Sequence, residues 1–151
     1  MFYVAYGSNL NVEQMRYRCP DAKIVGTAEI PDYRLMFKGS KTGAYCTIEP
    51  EVGASVPVGV WRVTGRDIEA LDRYEGYPSF YYKKSLVLPC SDGKRHKCFV
   101  YIMHEDRELA MPYPFYVNTC LQGYLDFGFD RKVFNEALEY TRARCKYGYC
   151  C

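Results

Sequence analysis

The chain lacks most of the features that would announce a chemistry. It has only two histidines, His96 and His104, and no Cys-x-x-Cys pair, so neither a zinc site of usual spacing nor a histidine-based triad is written into it. Its longest apolar runs, Phe2 to Tyr6 and Phe99 to Met103, fall far short of the roughly 20 residues of a membrane-spanning helix. Charge of one sign is scarce: 20 basic against 18 acidic side chains leave +2, mixed along the sequence. The concentrated basic stripe of a nucleic-acid binder is missing, and Lys83-Lys84 and Lys94-Arg95-His96-Lys97 read as solvated turns and strand ends. Met1-Phe2-Tyr3-Val4 shows neither a basic leader nor a cleavage site, so no secretory signal is expected and the expected location is cytoplasmic. Neither membrane nor nucleic acid is expected as a partner.

What remains is a globular balance. The 151 residues are 48% hydrophobic and 25% charged, enough apolar material to offset chain entropy. Without repeats or low-complexity stretches, residues 1–151 read as one domain, with 146–151 as a cysteine-rich tail. Eight cysteines are too few for a disulfide scaffold, and without a leader the thiols are expected to stay reduced. Cys145, Cys150 and Cys151 read as an exposed reduced end, with metal binding or oxidation as the alternative.

Phe2 to Tyr6 predicts a buried strand, punctuated by Gly7-Ser8-Asn9. Asn11 then caps a helix, with Gln14 at the reciprocal capping-box position and Val12, Met15 and Cys19 as its apolar side before Pro20. Candidate strands follow at Ile24 to Ile30, Tyr33 to Phe37, Ala44 to Ile48 and Val56 to Val63, with turns at Gly39, Gly43, Pro50 and Gly53. Phe80 to Leu88 and Cys98 to Met103 are joined through Ser91-Asp92-Gly93, a hairpin signal. Thr64 caps a helix over Asp67 to Tyr74 that ends at Gly76. Pro114 to Phe127 predicts another, and Asp130 caps a last one carrying Val133, Phe134, Ala137, Leu138 and Thr141. The pattern is α+β: mostly antiparallel strands, a small mixed β-barrel with flanking helices.

Glu75 breaks the pattern. Ile68 and Leu71 define the inward face of their helix, and helical spacing carries that face on to residue 75. A carboxylate there is costly unless paired or hydrogen-bonded. The negative end of the helix dipole and partial burial both raise its affinity for protons, which suits a group that takes and returns a proton near neutral pH. Periodicity alone leaves a second reading open, in which the frayed helix end lets Glu75 reach solvent, Arg73, Lys83 or Lys84.

Tyr6-Gly7-Ser8-Asn9-Leu10 forms the other candidate element. Backbone N–H groups at a turn entering a helix attract anions, including carboxylates, while a plain β-turn is the structural alternative. Ser8 is a poor nucleophile candidate, because no histidine motif supports it and the Gly-x-Ser-x-Gly elbow is absent. The 16 tyrosines against 8 phenylalanines exceed what packing requires, since a buried hydroxyl seeks a partner. Tyr82, Tyr101 and Tyr116 are candidates for lining a polar cavity.

Together, Ala5-Tyr6-Gly7-Ser8-Asn9-Leu10, Val58-Gly59-Val60-Trp61-Arg62-Val63, Leu71-Asp72-Arg73-Tyr74-Glu75-Gly76 with Tyr81-Tyr82, Val100-Tyr101-Ile102-Met103, and Pro114-Phe115-Tyr116 with Gly123 resemble the γ-glutamylcyclotransferase-like (AIG2-like) superfamily. The resemblance implies a small mixed barrel with one central cavity and an enzyme that cyclises a γ-glutamyl amide to 5-oxoproline. It implies that Tyr6, Gly7, Ser8, Asn9 and Leu10 hold the γ-glutamyl group, that Glu75 is the acid/base, that Tyr116 touches substrate, and that Tyr82 and Tyr101 shape the cavity. No metal or other cofactor is implied. The expected partner is a small γ-glutamyl substrate, with a homodimer admitted. Tyr77-Pro78-Ser79-Phe80 is a bulky departure beside the acid, and the cysteine-rich tail has no family role. A non-catalytic γ-glutamyl-metabolite-binding module and an interaction protein on the same fold stand as alternatives.

Overall fold

The computed structural model describes residues 1–40 and 43–145; the expectation for Cys150 and Cys151 lies outside them. Six strands form one mixed sheet: β1 (Phe2–Ala5), β2 (Lys23–Ser40), β3 (Gly43–Arg62), β4 (Tyr81–Pro89), β5 (Arg95–Met103) and β6 (Glu108–Leu109). Their spatial order is β4-β5-β1-β3-β2-β6. β1 runs parallel to β5 and antiparallel to β3, and the other pairs are antiparallel. The sheet curls into a half-barrel with β4 and β6 at its edges. Four helices flank it: α1 (Val12–Arg18), α2 (Gly65–Glu75), α3 (Pro114–Phe127) and α4 (Lys132–Arg144). Among the described residues, no helix is long and apolar enough to cross a membrane.

β1 is central because it is apolar on both faces: Tyr3, Val4 and Ala5 are all buried. The same holds for Cys98 to Met103 on β5. The largest departure from the expected strands is in the middle of the chain. The four short strands predicted between Ile24 and Val63 are the two long arms of one hairpin, closed where Ser40 pairs with Gly43. Pro50 and Gly53 do not reverse the chain. They belong to a bulge at which the register jumps from Tyr33↔Pro50 to Pro31↔Ser55, with Asp32 left-handed at φ 59° and its carboxylate accepting the Gly53 N–H at 3.0 Å. Turn-forming residues bend a long ribbon here instead of ending it.

The cap of α2 follows the sequence, and those of α1 and α4 follow it only in part. Thr64 and Asp67 form a reciprocal capping box on α2. Asn11 accepts the Gln14 N–H at 3.0 Å, but the Gln14 side chain accepts a bond from Arg18 instead of returning to Asn11. Asp130 accepts the Lys132 N–H at 2.9 Å but stands one residue before the cap position of α4, which Arg131 fills without a side-chain cap bond. On α4, Phe134, Ala137 and Thr141 are buried, and the Thr141 hydroxyl accepts the Phe37 N–H of β2 at 3.1 Å.

Candidate active site

β1 ends at Ala5, and a short 3-10 turn, Ser8–Leu10, follows before α1. Leu10 and Asn11 donate their N–H groups back to the Gly7 and Ser8 carbonyls. The amides of Ser8 and Asn9 come before the first of these bonds and have no partner within the turn. Helix α3 presses directly on this turn. A Cβ at Gly123 would sit 2.6 Å from the Leu10 carbonyl carbon and the Asn11 nitrogen, so only glycine permits that approach.

Helix α2 ends at Glu75 because Gly76 adopts the left-handed conformation, φ 62°. Its N–H bonds the Arg73 carbonyl, and Tyr77 bonds Asp72 at 2.9 Å, a glycine-stopped helix end. This fixes Glu75 in the last turn, with Leu71 fully buried one turn earlier. The face that Ile68 and Leu71 begin does deliver the carboxylate inward.

Glu75 and the turn line one cavity of about 450 Å³, to which Tyr3, Tyr6, Gly7, Ser8, Asn9, Cys46, Tyr74, Tyr81, Tyr101 and Tyr116 also contribute. That volume is in the ordinary range for a small-molecule site. The cavity's tyrosine hydroxyls are largely engaged. Tyr6 donates to the Tyr101 carbonyl at 2.6 Å, Tyr3 accepts from the Asn9 amide at 2.9 Å, and Tyr74 shares a 3.0 Å bond with Ser8. Tyr81 donates to the Cys46 carbonyl at 2.8 Å, while Tyr116 accepts the Cys46 N–H at 3.0 Å. Tyr101 donates to Asp72 at 2.6 Å, and Asp72 also pairs with Lys83 at 2.9 Å.

Glu75 differs from these neighbours. Among the described residues, no group donates a hydrogen bond to its carboxylate, and Lys83 is committed to Asp72. The side chain keeps some surface open to the cavity but is otherwise enclosed by protein. Burial raises its pKa from 4.5 to about 8, against a smaller opposing pull from Arg18. The Arg18 guanidinium lies 3.4 Å from the centre of the Tyr74 ring and donates to the Asn9 side-chain oxygen, joining the acid's helix to the turn.

The cavity therefore brings together Glu75, Tyr6, Gly7, Ser8, Asn9, Tyr101 and Tyr116. Two expected residues fall elsewhere. Leu10 is fully buried, and its amide is consumed inside the turn. Tyr82 does not line the cavity; its hydroxyl donates to Glu105, because adjacent residues on a strand face opposite sides and Tyr81 takes the inner one. Tyr81 could have been found only with the β4 register. Arg18 had a partial signal in its spacing from Gln14, but its approach to Tyr74 and Glu75 depends on how α1 packs on α2.

The comparisons with known proteins bear on the family and the fold. A model of the family described as gamma-glutamyl cyclotransferase, AIG2-like, matches residues 3–117. The chain is 32% identical over 134 residues to the gamma-glutamylcyclotransferase of Homo sapiens, an alignment covering 83% of this chain and 71% of that protein. It is 31% identical over 134 residues to the gamma-glutamylcyclotransferase of Bos taurus, with the same coverage. A solved structure of a gamma-glutamyl cyclotransferase superposes with a TM-score of 0.78 at 27% identity, over 98% of this chain and 89% of that one. These similarities support a cyclotransferase activity, and the chain belongs to the γ-glutamyl cyclotransferase, AIG2-like family.

Proposed function

We propose that this protein cyclises a γ-glutamyl amide to 5-oxoproline and releases the amine, with Glu75 as the proton carrier. One observation carries the assignment of the site: in a cavity whose tyrosine hydroxyls are mostly engaged, the Glu75 carboxylate and the Ser8 and Asn9 amides have no hydrogen-bond partner among the described residues. An acid and a pair of N–H donors suit a substrate with an ammonium at one end and carboxylate or carbonyl oxygens at the other.

In this reading the amides of Ser8 and Asn9 bind a substrate oxygen, and ionised Glu75 takes a proton from the α-ammonium. The freed amine attacks the γ-carbonyl carbon, closing a five-membered ring, and the tetrahedral intermediate collapses by breaking the bond to the departing nitrogen. Glu75 returns its proton to that nitrogen. Of the three ammonium protons, one stays on the lactam nitrogen and two leave with the amine as its ammonium form. Because the attack is intramolecular, holding the chain folded supplies much of the rate. The tethered tyrosines are suited to that task because their rings have little freedom to move.

The test is release of 5-oxoproline, followed by mass spectrometry, across a panel of γ-glutamyl amino acids, amines and peptides, with Glu75→Gln as control. Turnover by the native protein and its loss in the variant are expected. Saturable binding without product from either protein would replace the enzyme with a binding module.

A further inference from the structure

At the far end of β4 and β5, outside the cavity, the hairpin gathers three metal-binding side chains. Cys90, Asp92 and His96 each place a donor atom within 4.8 Å of the other two. We propose that this hairpin is a binding site for one Zn²⁺ ion, with the Cys90 sulfur, an Asp92 oxygen and His96 Nε2 as ligands.

The donor set fits that ion and not its commoner competitors. One sulfur, one nitrogen and one oxygen suit zinc, whereas magnesium and calcium take oxygen. A thiolate and a carboxylate together balance the divalent charge, with the imidazole neutral. Arg95 and Lys97 alternate with His96 along β5, so their charges project from the opposite face.

The site is also held in place before any ion arrives. His96 packs on the Phe2 ring at 4.1 Å between centroids, and its Nε2 lies 2.7 Å from Asp92 Oδ2. The other Asp92 oxygen accepts the Lys94 N–H at 3.0 Å, the kind of outer contact that orients a ligating carboxylate. The turn is pinned to β2, since Ser91 donates its N–H to the Thr27 carbonyl and its hydroxyl accepts the Thr27 N–H. A Cβ at Gly26 would lie 2.3 Å from Ser91 Oγ and 3.2 Å from Cys90 Sγ, so the hairpin docks where β2 has no side chain. Cys98 lies on the same face, but its thiol bonds the His96 carbonyl at 3.4 Å and is not counted as a ligand. Binding would expel the thiol proton and open the short His96–Asp92 contact to admit the metal between them.

The experiment titrates the reduced, chelator-stripped full chain with Co²⁺ and then with Zn²⁺. One equivalent of Co²⁺ is expected to produce a near-ultraviolet thiolate-to-cobalt band, which Zn²⁺ removes stoichiometrically. Cys90→Ser should erase the band. His96→Ala should weaken binding by at least about tenfold, since loss of even an outer-shell partner costs that much. Replacing Cys145, Cys150 and Cys151 by serine should change neither. Circular dichroism confirms that each variant is folded. No saturable band, a band that survives in folded Cys90→Ser, or one lost with the tail cysteines overturns the proposal.

Discussion

Replacing Glu75 by glutamine should abolish turnover and at the same time stabilise the protein in alkaline solution. The two effects have one cause. An acid whose pKa is raised from 4.5 to about 8 by burial is more readily protonated in the folded than in the unfolded chain. The folded state therefore holds the extra proton between those values, and stability is lost as pH rises through that window, levelling off above about 8. At about 1.4 kcal/mol per pH unit, full burial would set an upper bound of about 5 kcal/mol. The carboxylate keeps a face on the cavity, and water there recovers part of that, leaving a difference of about 2–3 kcal/mol. Glutamine does not titrate. Urea unfolding of the two proteins should give nearly equal stabilities at pH 4.5 and a more stable variant at pH 9. Parallel pH dependences would show that Glu75 is an ordinary solvated carboxylate, and the proton-carrier argument would fail with it.

Four other outcomes follow from named contacts. Arg18→Gln removes the cation that favours the ionised acid, so the rising limb of kcat/KM against pH should move to higher pH, and an unmoved limb would separate Arg18 from the acid. Gly123→Ala puts a methyl group against the backbone of Leu10 and Asn11; a loss of about 1–3 kcal/mol by chemical unfolding and a raised KM are expected, as the turn is displaced. Tyr82→Phe should leave steady-state kinetics unchanged because its hydroxyl meets Glu105 outside the cavity. Tyr81→Phe frees the Cys46 carbonyl and should lower stability by about 1 kcal/mol while altering kcat/KM.

The helices and the site's two main elements were legible because their signals are local. Thr64 and Asp67 state a helix start, Gly76 states its end, and the spacing from Leu71 fixes the side from which Glu75 projects. The first strand was legible as an apolar run. The β2–β3 ribbon was not, because Pro50 and Gly53 look the same in sequence whether they reverse a chain or bend one, and pairing across the ribbon decides between them. The sequence points to Tyr82, whereas Tyr81 lines the cavity, for a related reason: two adjacent tyrosines must face opposite ways, but which one faces the cavity is a property of register. Arg18 is not legible in the sequence because the contacts that hold it near Glu75, to Tyr74 and Asn9, form only once α1 and α2 are packed.

The distribution of hydrogen bonds explains why so polar a cavity need not be a weak point in the fold. Seven tyrosines meet there, and six of their hydroxyls, all but that of Tyr45, bond a backbone carbonyl, a backbone amide or a neighbouring side chain. The polar atoms of these six are thus compensated before any ligand arrives, and their rings are held in fixed orientations. The uncompensated burden falls on Glu75, whose desolvation is the same effect that brings its proton affinity near neutrality. Giving the acid a permanent protein donor would relieve that burden, but it would also stabilise the ionised form and lower the pKa. A variant that supplies such a donor should therefore be more stable and slower, which separates a carboxylate retained for proton transfer from one retained for packing.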